Sequence, residues 1–168
     1  MAHAICITET MSGTKKGVDL VSAHYVVSDT PTAIENGNVV LIGAYETGSR
    51  EIREATTPAK DSDKANIALV ASPEVIYSDR LAGDLGNFIN EAGAELRGYI
   101  LEKPHQKFAV TGEALDGAAA RIKGAVVELQ DSTKLLAVAV ATSGSTKIGE
   151  IIDVFTQKGK TYYAIETC

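Results

Sequence analysis

Hydrophobic and polar residues alternate along most of this chain with the two-residue period of a β-strand. In the first half the alternation predicts strands over 18–27, 39–46, 51–55 and 65–72. From residue 95 onward it predicts strand pairs joined by turns of hairpin length: 96–102 with 107–115, 124–130 with 134–141, and 148–156 with 161–167. Short hairpins in close succession are typical of antiparallel barrels and sandwiches. We therefore expect a mainly β fold, a β-barrel or β-sandwich of short antiparallel hairpins, with at most one or two short helices.

Residues 78–96 have helical rather than alternating spacing. Apolar side chains recur there every three or four positions, at Leu81, Leu85, Phe88, Ile89, Ala92 and Leu96. Gly83, Gly86 and Gly93 oppose this pattern, since each costs a helix about 1 kcal/mol relative to alanine. The spacing predicts one or two helical turns, and a subdivision near 78–95 of a domain that otherwise spans 18–168.

The stretch 134–141 separates large from small side chains. Leu136, Val138 and Val140 share one face of the predicted strand, whereas Leu135, Ala137 and Ala139 share the other. We expect the first set, together with Ile152 and Val154, to fill a compact barrel.

Residues 1–17 predict an N-terminal arm. Ala4, Cys6 and Thr8 alternate with Ile5, Ile7 and Glu9, which is compatible with a strand. The small, polar and basic residues of 11–17 would separate that strand from the body. A terminal segment of this kind is either disordered or adds a strand to a sheet of another chain.

Composition narrows the class of protein. The chain has 168 residues, of which 45% are hydrophobic and 23% charged, as in a soluble globular protein. The longest apolar run, 135–141, is far shorter than the roughly 20 residues of a membrane span. The N-terminal residues do not match a secretory signal, so we expect no leader, synthesis in the cytoplasm and no membrane partner. The net charge of −6, without a basic stripe, disfavours nucleic acid. Cys6 and Cys168 lack metal-ligand spacing, and whether they pair stays open.

Three short stretches match part of a known functional motif, but none matches a whole one. Gly159-Lys160-Thr161 matches the last three residues of a phosphate-binding loop. However, Val154 occupies the position of the first glycine of that motif, and a predicted strand follows instead of a helix. We therefore interpret this stretch as a hairpin tip. The sequence TSGST at 142–146 lacks the pattern of a nucleophile elbow and predicts a linker. DSDKAN at 61–66 lacks the third oxygen ligand and the glycine of a calcium loop, and predicts a solvated loop.

The histidines point to no catalytic centre. His3, His24 and His105 lie far apart in the sequence, and a catalytic histidine needs a partner within hydrogen-bond reach. We therefore predict no catalytic residue, no cofactor and no metal, and a protein that is not an enzyme.

Several stretches resemble tailed-phage capsid decoration proteins, the head stabilisation or cement proteins. These stretches are IENGNVVLIGAY at 34–45, VASPEVIYSDR at 70–80, the run 88–115, and VVELQDSTKLLAV at 126–138 with the following strand segments. The resemblance implies a structural protein on the capsid surface of the virion that binds the expanded shell. It also implies the major capsid protein of the same phage as partner, together with self-association, a trimer being common in the class.

Within that class, the arm is the candidate for contact with the capsid. The residues concerned are Ala2, His3, Ala4, Ile5, Cys6, Ile7 and Thr8. Two alternatives stay open: another virion component, such as a tail-tube or head-completion protein, or a small β-barrel enzyme or ligand carrier with a polar pocket.

Overall fold

The computed structural model describes residues 3–8, 11, 19–76 and 84–168. Its strands are β1 (Cys6–Ile7), β2 (Leu20–Val27), β3 (Thr30–Pro31), β4 (Val39–Tyr45), β5 (Ile52–Thr56), β6 (Ile67–Val70), β7 (Leu96–Ile100), β8 (Lys107–Thr111), β9 (Leu115–Asp116), β10 (Val126–Glu128), β11 (Leu135–Val138), β12 (Lys147–Gln157) and β13 (Lys160–Thr167). The helical content of these residues is short 3₁₀ turns at Lys64–Asn66, Leu85–Asn87 and Ala118–Ala120. The prediction of a mainly β fold is confirmed.

Strands β2, β4, β5, β6 and β7 close into a five-stranded barrel. Strand β2 pairs in parallel with β5, β5 pairs with β4, and β4 pairs with β6. Strand β6 then pairs with β7, and β7 returns to β2. Closure leaves the barrel without a free edge apart from the short β3, which is added beside β2. The Gly98 backbone permits a close approach in this ring, because a Cβ there would lie 2.9 Å from Ala68 Cβ.

The second half, together with β1, forms a seven-stranded sheet in the order β1-β8-β13-β12-β10-β11-β9. All its pairings are antiparallel except that of β9 with β11. The predicted hairpins of β10 with β11 and of β12 with β13 are confirmed. A register shift near Ile151 and Asp153 bends the long β12–β13 hairpin.

Strand β6 lies between the two units of the fold, the barrel (the first unit) and the seven-stranded sheet (the second unit). All four of its side chains are buried. Ile67 and Leu69 belong to the large apolar cluster between the barrel and the seven-stranded sheet. Ala68 and Val70 point the other way, into the apolar cluster inside the barrel. Since successive side chains of a strand face opposite sides, this one strand contributes to both cores.

The predicted hairpin between 96–102 and 107–115 is wrong. Strand β7 belongs to the barrel and β8 to the other sheet, so the connection 101–106 is the passage between the two units. Leu101 is buried there, and its amide donates to Ile67 O at 2.9 Å. The amide of His105 then donates to Thr167 O at 2.8 Å, which anchors the passage on β13. The chain therefore changes sheets at 101–106, after the region 78–95 where we expected a subdivision.

Of the one or two helical turns predicted within 78–96, the described residues contain one short 3₁₀ turn, Leu85–Asn87. Residues 78–83 of this segment lie outside the described residues. Gly93 adopts φ = +77°, which is incompatible with a right-handed helix. The amide of Asn90 donates to Ile34 O at 3.0 Å and Ile34 N returns a bond to Asn90 O at 2.9 Å, so pairing with a distant segment replaces local helical hydrogen bonds.

The expected filling of the barrel is also wrong. Leu135 and Ala137 are the buried residues of β11, and the larger Leu136 and Val138 lie half-buried on the opposite face. Val140 is 79% exposed. Ile152 is half-buried and Val154 is exposed in β12. Leu136, Val138, Val140, Ile152 and Val154 therefore do not fill the interior.

The double role of β6 predicts a large effect of truncating one of its side chains. We expect Leu69→Ala to lower the free energy of unfolding by about 2–5 kcal/mol, because a cavity would form in the core between the two sheets. Val140→Ala, at an exposed position, should stay within about 0.5 kcal/mol of the parent. Urea denaturation followed by circular dichroism measures both. Equal values for the two variants would contradict the shared-core description.

Candidate interaction surface

The segment predicted as an arm contains a strand, but the strand belongs to the body of its own chain. Cys6 lies opposite Val110 and Ile7 opposite Ala109, in antiparallel pairing with β8. Ala4, Ile5 and Cys6 are buried, whereas His3, Ile7 and Thr8 are half-buried. The expectation of a detached arm is therefore corrected for residues 3–8. Ala2 and most of 9–17 lie outside the described residues.

Hydrogen bonds hold this segment at defined points. The Ile5 amide donates to Thr111 Oγ1 at 3.2 Å, and the Thr111 amide donates to Ile5 O at 3.1 Å. Glu35 accepts from the Ala4 amide at 3.1 Å and pairs with His3 Nδ1 at 2.8 Å. The role of these residues in capsid contact stays a prediction, and for Ala4, Ile5 and Cys6 it would require leaving these partners.

A buried polar network surrounds Asn36, the residue after Glu35. Asn36 donates to Ser72 O at 2.8 Å, while its Oδ1 accepts from Ser72 N at 3.0 Å and from Asn90 Nδ2 at 3.1 Å. Gly37 follows with φ = +85°, a left-handed conformation that glycine adopts readily in an Asn-Gly turn. A Cβ on Gly37 would also lie 3.0 Å from Ala114 Cβ, so both conformation and space favour glycine there.

The outward face of the seven-stranded sheet has an apolar cluster around the same strand. Ile5, Ala109 and Tyr162 are buried in it, with Ile7, Phe155 and Ala164 packed beside them. The rings of Phe155 and Tyr162 stack with centroids 5.4 Å apart and planes 12° apart. Burial raises the pKa of Tyr162 above its usual value, so this phenol stays neutral at physiological pH and contributes mainly apolar surface.

Gly159-Lys160-Thr161 is a hairpin tip, as predicted. Lys158 and Gly159 have φ of +49° and +75° between β12 and β13, which is the geometry of a tight turn. Lys160 Nζ lies 3.1 Å from Asp84 Oδ1, and that carboxylate accepts the Gly86 amide at 2.9 Å. The Gly86 hydrogen bond and then Lys160 hold the pKa of Asp84 below its usual value. The lysine therefore ties the hairpin to the loop after residue 83.

Four exposed apolar side chains of the second unit define what we call the apolar corner: Ala119, Ile122, Ala139 and Val140. Ala119, Ile122 and Ala139 line one concave surface, and Val140 follows Ala139 directly. Ile122 is 64% and Val140 79% exposed. No charged residue occurs from 135 to 146. Sequence reasoning missed this surface because it placed Val140 inside the barrel; the run of twelve uncharged residues was the signal that could have found it.

The remaining motifs have structural roles. TSGST lies between β11 and β12, with Gly144 at φ = +84°. In DSDKAN, Asp63 caps the turn Lys64–Asn66 by accepting from the Ala65 amide at 3.0 Å, so the predicted loop contains one 3₁₀ turn.

Each histidine pairs with a separate glutamate, at 2.8 Å for His3 and Glu35, 2.7 Å for His24 and Glu46, and 2.9 Å for His105 and Glu166. The three pairs lie on different elements, and the structure does not bring them together in one site. Within 3–8, 11, 19–76 and 84–168, no three His, Cys, Asp or Glu side chains cluster as metal ligands do.

The comparisons with known proteins add no relative. No family model, no curated protein and no solved structure matches the chain. Among the described residues, no helix has the length and apolarity needed to cross a membrane.

The two cysteines are not bridged, and they differ sharply in environment. Cys6 is buried, which raises the pKa of its thiol far above the usual value, whereas Cys168 is exposed. Because the thiolate is the reactive form, we expect one thiol per chain to react with Ellman's reagent at pH 8 in the native protein and two after denaturation. In Cys168→Ser the native count should fall to zero. Rapid native reaction of Cys6 in that variant would contradict the burial of β1.

The Asp84 interactions predict a pH dependence. Folding lowers the pKa of this carboxyl, so its contribution is complete above the ordinary value of 3.8 and is lost as the pH falls through the lowered value. The Gly86 amide resonance should therefore shift with a midpoint below pH 3.8, followed by ¹H–¹⁵N NMR. Asp84→Asn should abolish the shift. A midpoint at or above 3.8 would show that the carboxylate is not held by these partners.

Proposed function

We propose that this protein is a non-enzymatic structural component of a tailed-phage virion, which binds the outer surface of the expanded capsid and stabilises it. The major capsid protein of the same phage is the proposed partner. The proposal includes self-association, for which a trimer is the expectation from the family resemblance. The observation that carries the proposal is the apolar corner, an exposed apolar surface whose concave part is lined by a single charged residue, Lys123.

The composition of the apolar corner suits a protein contact. The cores of protein interfaces are depleted in charged residues and pack as densely as protein interiors. Ile122 and Val140 expose large aliphatic side chains, and the neighbouring alanines allow a partner's backbone to approach closely. Only Lys123 adds charge to the residues that line this concave surface. These features favour a partner surface of similar apolar character.

The body behind this corner is suited to bearing load. Barrel closure leaves few exposed strand edges, and β6 joins the barrel to the second sheet through the interior. A body of this kind presents its surface in a fixed orientation, so little ordering entropy is lost on binding. A ligand that binds only the expanded lattice stabilises that state by mass action. The net charge of −6 suits a position outside the shell, away from packaged DNA.

Cosedimentation tests the proposal. Purified protein is mixed with empty expanded capsids and with unexpanded proheads of the phage that encodes it, and the bound fraction is measured after centrifugation. We expect saturable binding to expanded capsids only. Ile122→Asp and Val140→Asp should each weaken that binding at least tenfold, because each places a charge at the centre of the apolar contact.

A matched control separates loss of the surface from loss of the fold. Val27 is 44% exposed at the end of β2, in the barrel. Val27→Asp makes the same chemical change elsewhere and should leave capsid binding unchanged. Equal weakening by all three substitutions, or equal binding to expanded and unexpanded particles, would contradict the proposal. Antibody labelling along the tail instead of the capsid faces would favour a tail-tube protein.

A further inference from the structure

A second surface lies at one mouth of the five-stranded barrel, away from the apolar corner. The first residues of β2, the last residue of β4, and the connection into β5 surround an open cavity of about 230 Å³. Its lining consists of Leu20, Val21, Ser22, Tyr45, Arg50, Glu51 and Arg53. Barrel mouths are common places for binding sites. This cavity is smaller than the roughly 300 Å³ at which small-molecule sites begin, so it suits a single side chain or a chain terminus.

Arg53 is held in a defined orientation by an aromatic ring. Its guanidinium carbon lies 4.6 Å from the centroid of the Tyr45 ring, in a cation–π contact. Stacking of this kind uses the flat face of the guanidinium and leaves the N–H groups at its edge available. Arg53 is also half-buried, so part of its hydration is already removed. These are the conditions under which arginine binds a carboxylate with two parallel hydrogen bonds.

The second arginine of the cavity lies only three positions earlier in the chain. Among the described residues, neither Arg50 nor Arg53 makes an ion pair or a hydrogen bond through its guanidinium. This is notable in a chain with 22 acidic and 16 basic side chains, where carboxylates are plentiful. Two guanidinium groups without a carboxylate partner in the described part of the chain therefore line the same small cavity beside an exposed tyrosine.

We propose that the barrel mouth binds a carboxylate, supplied by an acidic side chain on the surface of a protein partner. Arg50 and Arg53 bring two positive charges and Glu51 one negative charge, so the lining has a net charge of about +1. One carboxylate balances that charge. A phosphate dianion or a nucleic-acid strand would meet Glu51 and an acidic chain with a net charge of −6. The site goes beyond the proposed function and is separate from the apolar corner.

Titration of the arginine side chains tests this assignment. The Nε–Hε resonances of ¹⁵N-labelled full-length protein are followed while blocked tetraglutamate peptide is added, and in parallel runs blocked tetraglutamine, inorganic phosphate or an eight-residue thymidine oligonucleotide. We expect saturable shifts of Arg50 and Arg53 with tetraglutamate only. The double variant Arg50→Gln/Arg53→Gln should bind at least tenfold more weakly. Arg50→Lys/Arg53→Lys should recover only part of the affinity, because lysine lacks the planar fork.

The chain offers a matched control. Arg121 also lies over a tyrosine, 5.8 Å from the centroid of the Tyr163 ring, but in the second unit and outside this cavity. Arg121→Gln should bind tetraglutamate as the parent does. For every variant, an unchanged dispersion of the amide spectrum shows that the fold is intact. Absence of saturable binding, or equal weakening in Arg121→Gln, would overturn the proposal. Tighter binding of phosphate or of the oligonucleotide than of tetraglutamate would replace it with a site for phosphate groups.

Discussion

The burial of β6 on both faces is the constraint on which the rest of this structure depends. Ile67 and Leu69 pack towards the seven-stranded sheet, and Ala68 and Val70 pack inside the barrel. Val39 and Val40 of the adjacent β4 divide in the same way between the two cores. Strands β4 and β6 therefore form a shared wall: one face lines the barrel interior and the other lines the core against the seven-stranded sheet. Separating the two units would expose the apolar side chains of this wall to water.

This shared wall explains why the candidate interaction surfaces lie at the periphery. The interior is filled by aliphatic side chains, so groups that could contact a partner are left at the ends of the two units. The apolar corner lies at the turns around β10 and β11, and the arginine pair lies at the barrel mouth. One surface is apolar and the other is charged, which suits two different contacts made by a single rigid body. Segment 3–8, in contrast, pairs with β8 of its own chain through β1.

The alternation of the sequence predicted most strands but not how they are arranged. Hairpins with local partners, β10 with β11 and β12 with β13, follow from short polar turns such as Lys158-Gly159. The pairing of Cys6 with Val110 joins residues about a hundred positions apart, and no local signal records it. The connection 101–106 resembled a hairpin turn because it contains Pro104 and several polar residues. Its real role is set by the burial of Leu101, which is a tertiary effect.

The candidate surfaces were harder to predict, for a related reason. Alternation shows that the faces of β11 differ, but it does not say which one is inside. Leu135 and Ala137 are the buried pair, and Leu136 and Val138 lie half-buried on the opposite face. Similarly, Arg50 and Arg53 look like ordinary charges of a polar loop until barrel closure brings them beside Tyr45 and the start of β2.

The central claim is that β6 joins the two units into one cooperative body. Native-state hydrogen exchange tests this claim most directly. If β6 couples the two units in this way, the amides of Leu69 in the barrel wall and of Phe108 and Ile165 in the seven-stranded sheet open with the same free energy, equal to that of global unfolding. The slopes of these free energies against denaturant should also coincide. Two distinct groups, with the barrel opening at one free energy and the second sheet at another, would contradict the claim and show that the two units fold separately.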